Sequence, residues 1–280
     1  MNIAEDSPGL PHSSARATPR VLGVIPARIG SSRLPRKPLQ SIAGRPLIEW
    51  VWRRALAADL FAVVVIATDS EEIEEVASGF GARVELTSSE HPSGTDRVAE
   101  IAERDAYRGF EVIANIQGDE PFVRREQLEH AVQLVDSGGW DVGTVAVPVA
   151  SVAEWRDPSV VKVVRDARGG AMLFSRAPIP FRRDRDPDEE ELASGYFLRH
   201  LGIYTYRREA LLRWVQLPES DLERFERLEQ LRPLAAGIGI GVAVVAAPPA
   251  GEGGVDTPED AARAERRLLE LFPSRERAFA

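Results

Sequence analysis

From residue 21 the chain alternates between short runs of aliphatic residues and longer segments with helical spacing. Val21 to Ile25 is a continuous apolar run closed by Pro26, which predicts a buried strand. Residues 46–58 carry apolar side chains at helical spacing with proline first, where a helix tolerates it. The run FAVVVIA at 61–67 is continuously apolar and β-branched at its centre, as expected of a parallel strand covered on both faces. Thr68, Asp69 and Ser70 then suit the cap of a helix with Glu71 and Glu72 in its first turn. Strands are predicted at 82–86, 111–116 and 142–149, with helices at 94–104 and 125–135 between them. Strands separated by helical patterns indicate a mostly parallel α/β sheet with right-handed crossovers.

The rhythm changes after Ala150. Residues 160–165 and 171–174 flank Asp166-Ala167-Arg168-Gly169-Gly170, a hairpin with a glycine turn. The stretch RRDRDPDEEELASG at 182–195 reads as an exposed mobile loop. A strand at 201–206, a helix at 222–234, a strand at 241–245 and a final amphipathic helix at 258–271 follow. The expected organisation is one α/β domain over 20–273, with a small β-rich insertion at about 150–215. Residues 1–19, rich in Pro, Ser and Ala, read as a flexible extension without a signal-peptide pattern, and 274–280 as a tail.

Composition narrows the function. A net charge of −9 argues against general affinity for nucleic acid or an anionic membrane surface. The absence of cysteine removes disulfides, thiolate metal sites and cysteine nucleophiles. The four histidines form no HExxH pair, which argues against a zinc enzyme. No apolar run approaches the roughly 20 residues of a spanning helix, so the cytoplasm is the expected location.

Against that acidic background, residues 21–48 contain no carboxylate but carry Arg28, Arg33, Arg36, Lys37 and Arg45. This loop leaves the first strand at its carboxyl end, where open α/β sheets bind ligands. Backbone amides near Gly30 and Ser31, with forked guanidinium groups, suit a polyphosphate; a solvated basic loop is the plainer reading. GxxxxGK[ST] is absent, and so is GxGxxG after the first strand, which disfavours a P-loop ATPase and an ordinary dehydrogenase. Asp119 ends a strand in a Gly-Asp-Glu-Pro turn, and Asp256 follows a strand and a glycine loop. Mg²⁺ commonly takes one or two carboxylates plus phosphates. A turn aspartate also often bonds its own backbone, and Asp256 before Thr-Pro equally suits a helix N-cap. Alternation places His200 and Tyr204 on one strand face. Glu229 and Gln230 fall within the expected helix, and Ser93 begins another.

Nine segments in order resemble the 3-deoxy-manno-octulosonate (Kdo) cytidylyltransferases: IPARIGSSRLPRKPL (25–39), ATDS (67–70), HPSGTDR (91–97), NIQGDEPFV (115–123), VKVV (161–164), FSRAPIPF (174–181), FLRHLGIYTYR (197–207), LEQLR (228–232) and GVDTPED (254–260). The resemblance implies a Rossmann-like nucleotidyltransferase fold and a Mg²⁺-dependent, usually homodimeric enzyme. Such an enzyme joins CTP and Kdo into CMP-Kdo, the activated sugar for lipopolysaccharide, and pyrophosphate. It places Arg28, Ser31, Arg33 and Lys37 on the CTP phosphates, with Pro26, Ala27, Ser93, Gly94 and Thr95 on the nucleoside. It makes Asp119 and Asp256 the Mg²⁺ ligands, with Arg28 and Lys37 beside them in catalysis. It gives Gln117, Arg176, His200, Tyr204, Glu229 and Gln230 to the sugar, Arg176 facing the sugar carboxylate. Arg36 stands where many relatives have glycine. The rival readings are a cytidylyltransferase for sialic acid or an 8-amino analogue of Kdo, and a non-catalytic nucleotide-binding protein.

Overall fold

The computed structural model describes residues 21–30 and 33–273. The expected extension, the tail and Ser31 lie outside the described residues. The first half follows the sequence reading in β1 (Val21–Ala27), α1 (Leu47–Ala57), β4 (Phe61–Thr68), α2 (Glu71–Gly79), β5 (Arg83–Leu86), α3 (Gly94–Glu103), β6 (Val112–Asn115), α4 (Arg125–Asp136) and β7 (Val142–Pro148), and adds a small ribbon of β2 (Ser41–Ile42) and β3 (Arg45–Pro46) within the expected polar loop. Then come α5 (Val152–Arg156), β8 (Lys162–Arg165), β9 (Ala171–Ser175), α6 (Glu189–Ala193), β10 (Leu198–Arg207), α7 (Arg208–Gln216), α8 (Asp221–Glu226), α9 (Leu231–Ala235), β11 (Ile240–Val244) and α10 (Pro258–Leu271).

The main sheet runs β11-β7-β10-β6-β1-β4-β5. Pairings of β1 with β4 and β6, β4 with β5, and β11 with β7 are parallel. Only β10 runs against its neighbours β6 and β7 in this row. The hairpin of β8 and β9 joins the sheet through the start of β10, so the inserted portion extends the sheet. One sheet face packs α3 and α7 through Val98, Ile101, Leu211 and Trp214; the other packs α1, α2 and α4 through Val51, Ile73 and Leu128.

Several expectations need correction. β1 does not stop at Ile25 but continues through Pro26, opposite Ala67. Regular pairing with β6 has ended at Val24, so the proline's missing donor falls where the sheet has already opened. The expected helix at 222–234 is two, α8 and α9, broken at Arg227 in the left-handed region (φ 51°). Helical periodicity alone cannot register a single residue that reverses the chain. Residues 182–195 are not a featureless loop: Asp188 and Glu191 form a capping box for α6, and Arg182 and Arg185 pair with Glu191. α5 and α7 were not anticipated.

Candidate active site

β1 is flanked by β4 on one side and β6 on the other, and the loops leaving β1 and β6 part to form a cleft of about 410 Å³. Its wall includes Pro26, Ala27, Arg28, Gly30, Arg33 and Lys37 from the first loop, and Gln117 to Asp119 from the second. Ser93 and Gly94 come from the start of α3, and Asp256 from the approach to α10. Gly118 is required by packing: a Cβ there would lie 2.8 Å from the carbonyl oxygen of Pro26, so only glycine lets the two loops approach so closely.

The two aspartates meet. Lys37 Nζ donates to Asp119 Oδ2 at 2.5 Å and to Asp256 Oδ1 at 2.9 Å, and Arg33 Nη2 lies 3.2 Å from Asp256 Oδ2. Burial works to lower the pKa of the Lys37 ammonium, but the adjoining carboxylates of Asp119 and Asp256 outweigh it and hold it above the ordinary lysine value. A backbone bond from Val255 N–H to the Asp119 carbonyl, 2.9 Å, fixes the two loops together. The helix-cap alternative for Asp256 is excluded, because Thr257 caps α10 in a reciprocal box with Asp260.

Packing explains the convergence. Leu34, Phe122 and Val255 lie one to three residues from Lys37, Asp119 and Asp256, and all three enter one buried cluster with Trp50, Ala264 and Leu268. Each charged group therefore travels with an apolar anchor, and burial of the anchors delivers the charges to one place.

Ser93 caps α3 by accepting from the Thr95 and Asp96 amides. Its hydroxyl is also 2.9 Å from Glu229 Oε1 and 2.7 Å from Asp96 Oδ2, and can donate to only one at a time. Burial pushes the Glu229 carboxyl up, against the bonds from Ser93 and Thr95. Thr95 itself is buried beneath the cleft.

A second cleft of about 370 Å³ adjoins the first. His200, Tyr204 and Gln230 line it, as do Glu120, Arg199 and Ser159. The rings of His200 and Tyr204 lie 5.4 Å apart, although β10 has a register irregularity between Leu201 and Tyr204. Thr144 donates its hydroxyl to the Ile203 carbonyl at 2.7 Å, and therefore accepts from His200 Nε2 at 2.9 Å. This leaves Nδ1 of a neutral imidazole as an acceptor; burial lowers the His200 pKa to about 3. Gln117 stands between the clefts, with its Cγ 3.8 Å from where a Cβ on Gly202 would sit.

Arg176 does not line either cleft. Its Nε, Nη1 and Nη2 donate to the carbonyls of Glu226, Pro158 and Arg227. Sequence reasoning singled out neither Glu120 nor Arg199 for the second cleft. Their neighbours in the Gly-Asp-Glu-Pro turn and in RHLGIY were the signal. Burial pushes the Glu120 carboxyl up to about 8, with Asp119 adding to the effect. The ATDS and HPSGTDR segments meet through Arg97, whose guanidinium bonds Asp69 at 2.9 Å beneath the first cleft.

Among the described residues, no group of three or more His, Cys, Asp or Glu side chains is placed to hold a metal ion. Two carboxylates already converging on one cationic nitrogen do fit Mg²⁺, which completes its shell from phosphate and water. No helix among the described residues is long and apolar enough to cross a membrane.

Comparison with known proteins identifies the family. A family model described as Cytidylyltransferase matches residues 22–240. The chain is 48% identical over 259 residues to the 3-deoxy-manno-octulosonate cytidylyltransferase of Gemmatimonas aurantiaca, covering 92% of this chain and 98% of that one. With the enzyme of the same name from Halorhodospira halophila it shares 45% identity, covering 90% and 98%. A solved structure of CMP:2-keto-3-deoxy-manno-octonic acid synthetase complexed with CTP superposes with a TM-score of 0.81 at 40% identity, covering 90% of this chain and all of that one. Fold, convergent site and near full-length identity together place this chain in the cytidylyltransferase family, among the 3-deoxy-manno-octulosonate cytidylyltransferases.

Proposed function

We propose that the protein transfers CMP from CTP to the anomeric hydroxyl of Kdo, giving CMP-Kdo for lipopolysaccharide synthesis and pyrophosphate. The observation that carries this reading is the meeting of Asp119 and Asp256 on Lys37 in a cleft that also holds Arg28 and Arg33, with a second cleft lined by hydrogen-bonding side chains nearby. Arg28, Arg33 and Lys37, with Ser31 as the resemblance implies, bind the triphosphate and take up charge on the leaving pyrophosphate. Pro26, Ala27 and the turn at Ser93, Gly94 and Thr95 hold the nucleoside. Gln117, His200, Tyr204, Glu229 and Gln230 present acceptors and donors suited to a polyhydroxylated sugar. Arg176, given the sugar carboxylate by the resemblance, is instead committed to three backbone carbonyls and makes no part of the cleft lining.

The sugar oxygen attacks the α-phosphorus in line, the bond from that phosphorus to the oxygen bridging to the β-phosphate breaks so that pyrophosphate leaves, and the hydroxyl proton passes to solvent water. Positioning and charge neutralisation carry such a step without a covalent intermediate. Asp119 and Asp256 would hold one or two Mg²⁺ ions. When bound, the metal supplies charge neutralisation and a lowered hydroxyl pKa.

The enzyme acts in the cytoplasm as a homodimer on this reading. Met172, Phe181, Tyr196 and Phe225, all strongly exposed in or beside the inserted portion, support a partner surface there. Light scattering should return twice the 30.8 kDa chain mass; a monomer would remove the dimer. The functional test is pyrophosphate release from CTP with Kdo, its 8-amino analogue or sialic acid. Kdo should be preferred. Preference for sialic acid would displace Kdo, and CTP binding without turnover on any sugar would mark a binding module.

A further inference from the structure

Lys162, the second residue of VKVV, is fully buried in β8, yet among the described residues no carboxylate makes a salt bridge or hydrogen bond to its ammonium. Nζ instead donates to three backbone carbonyls: Asp157 at 2.8 Å, Val160 at 2.6 Å and Arg176 at 2.6 Å. Three donors meet three acceptors, so the group is saturated. Burying a charge is costly even with the carboxylates of Asp157, Glu226 and Glu154 near enough to act on it, and an apolar side chain in a plain β-strand would avoid the cost. The arrangement therefore calls for a role beyond filling space.

The three carbonyls belong to segments that shape the second cleft. Residues 157–161 contribute Ser159, Val160 and Val161 to its wall, and Val161 accepts from the His200 amide at 2.9 Å. Arg176, held at its carbonyl by Lys162, reaches Pro158 in the same loop and Glu226 and Arg227 at the end of α8. The Glu226 carboxylate accepts from Ser175 Oγ at 2.6 Å and from the Arg176 amide at 2.9 Å. Leu228 and Gln230, just beyond, form the opposite wall. Two cations thus clamp six carbonyls behind the cleft.

We propose that Lys162 is a positioning residue for the acceptor sugar, setting the spacing of the second cleft by tying loop 157–161 to Arg176 and, through it, to the end of α8. This rests on the functional reading above, which wild-type pyrophosphate release tests by itself. In an active wild-type background, Lys162→Met should raise KM for Kdo about tenfold or more while KM for CTP stays within about twofold. A merely structural lysine would move both constants together or lower only the amount of active enzyme. Equal rises, or none, would overturn the proposal.

Lys162→Met leaves three buried carbonyls without a donor and can prevent folding. Glu226→Gln provides the second arm. Its single amide oxygen can accept from only one of Ser175 Oγ and the Arg176 N–H, both of which the carboxylate serves, while no core side chain is removed, and the same sugar-selective rise, several-fold, is expected. Unchanged KM values for both substrates in folded Glu226→Gln would overturn the clamp whatever Lys162→Met does.

Discussion

The two clefts are built on opposite plans. The first presents its charges to the ligand: Arg28, Arg33, Lys37, Asp119 and Asp256 all line it, and Arg33 and Asp256 remain substantially exposed. The second keeps two of its cations behind the wall, where Lys162 and Arg176 serve backbone carbonyls, and lines the opening with His200, Tyr204 and Gln230 beside only Glu120 and Arg199 as charged groups. A triphosphate is recognised chiefly through charge, which must face it. A sugar is recognised through the spacing of hydroxyl partners, which buried groups can set without touching it.

The sharpest test of the first plan is to remove the convergent charge. Asp119→Asn or Asp256→Asn should lower pyrophosphate release by at least about a hundredfold, with circular dichroism unchanged. A folded variant at near-normal rate would strip that aspartate of its role. The second plan predicts that His200 is neutral in the folded enzyme. An unfolded histidine takes up a proton as pH falls through about 6.5, whereas the folded ring does so only near 3. Stability from this residue is therefore present above the unfolded pKa and lost progressively as pH falls toward the folded one. Between pH 7 and 5, urea unfolding of the wild type should lose about 2 kcal/mol more than His200→Asn. Equal losses would place the ring in water.

The smallest effect belongs to the rim of the first cleft. Arg36 adopts φ 54°, a left-handed conformation, and pairs with Glu72 on the surface. Arg36→Gly relieves a backbone cost of about 1 kcal/mol but loses an exposed ion pair and adds freedom to the unfolded chain. Stability should stay within about 1 kcal/mol, with KM for CTP nearly unchanged. A large rise in KM would show that Arg36 belongs to the phosphate site.

Much of the first cleft could be read from the sequence because its parts are local. A strand, a loop without carboxylates and a turn aspartate each announce themselves within a dozen residues. That Asp119 and Asp256 share one ammonium was beyond periodicity, since it depends on Leu34, Phe122 and Val255 packing together across the chain. The parallel half of the sheet followed from alternation; α8 and α9 did not, because Arg227 turns the chain without changing its hydrophobic pattern. The resemblance assigned Arg176 to the sugar carboxylate, but its three carbonyl bonds emerge only in three dimensions. Lys162 in VKVV looks like an ordinary strand-edge charge until its burial is known.

The anchor of Asp256 has a consequence in time. Val255 is held by Ala264 and Leu268 of α10, the last helix among the described residues. While the polypeptide is being synthesised, Lys37 and Asp119 emerge long before the helix that fixes their third partner. A nascent chain therefore lacks the contact between Asp256 and Lys37 until this helix has docked.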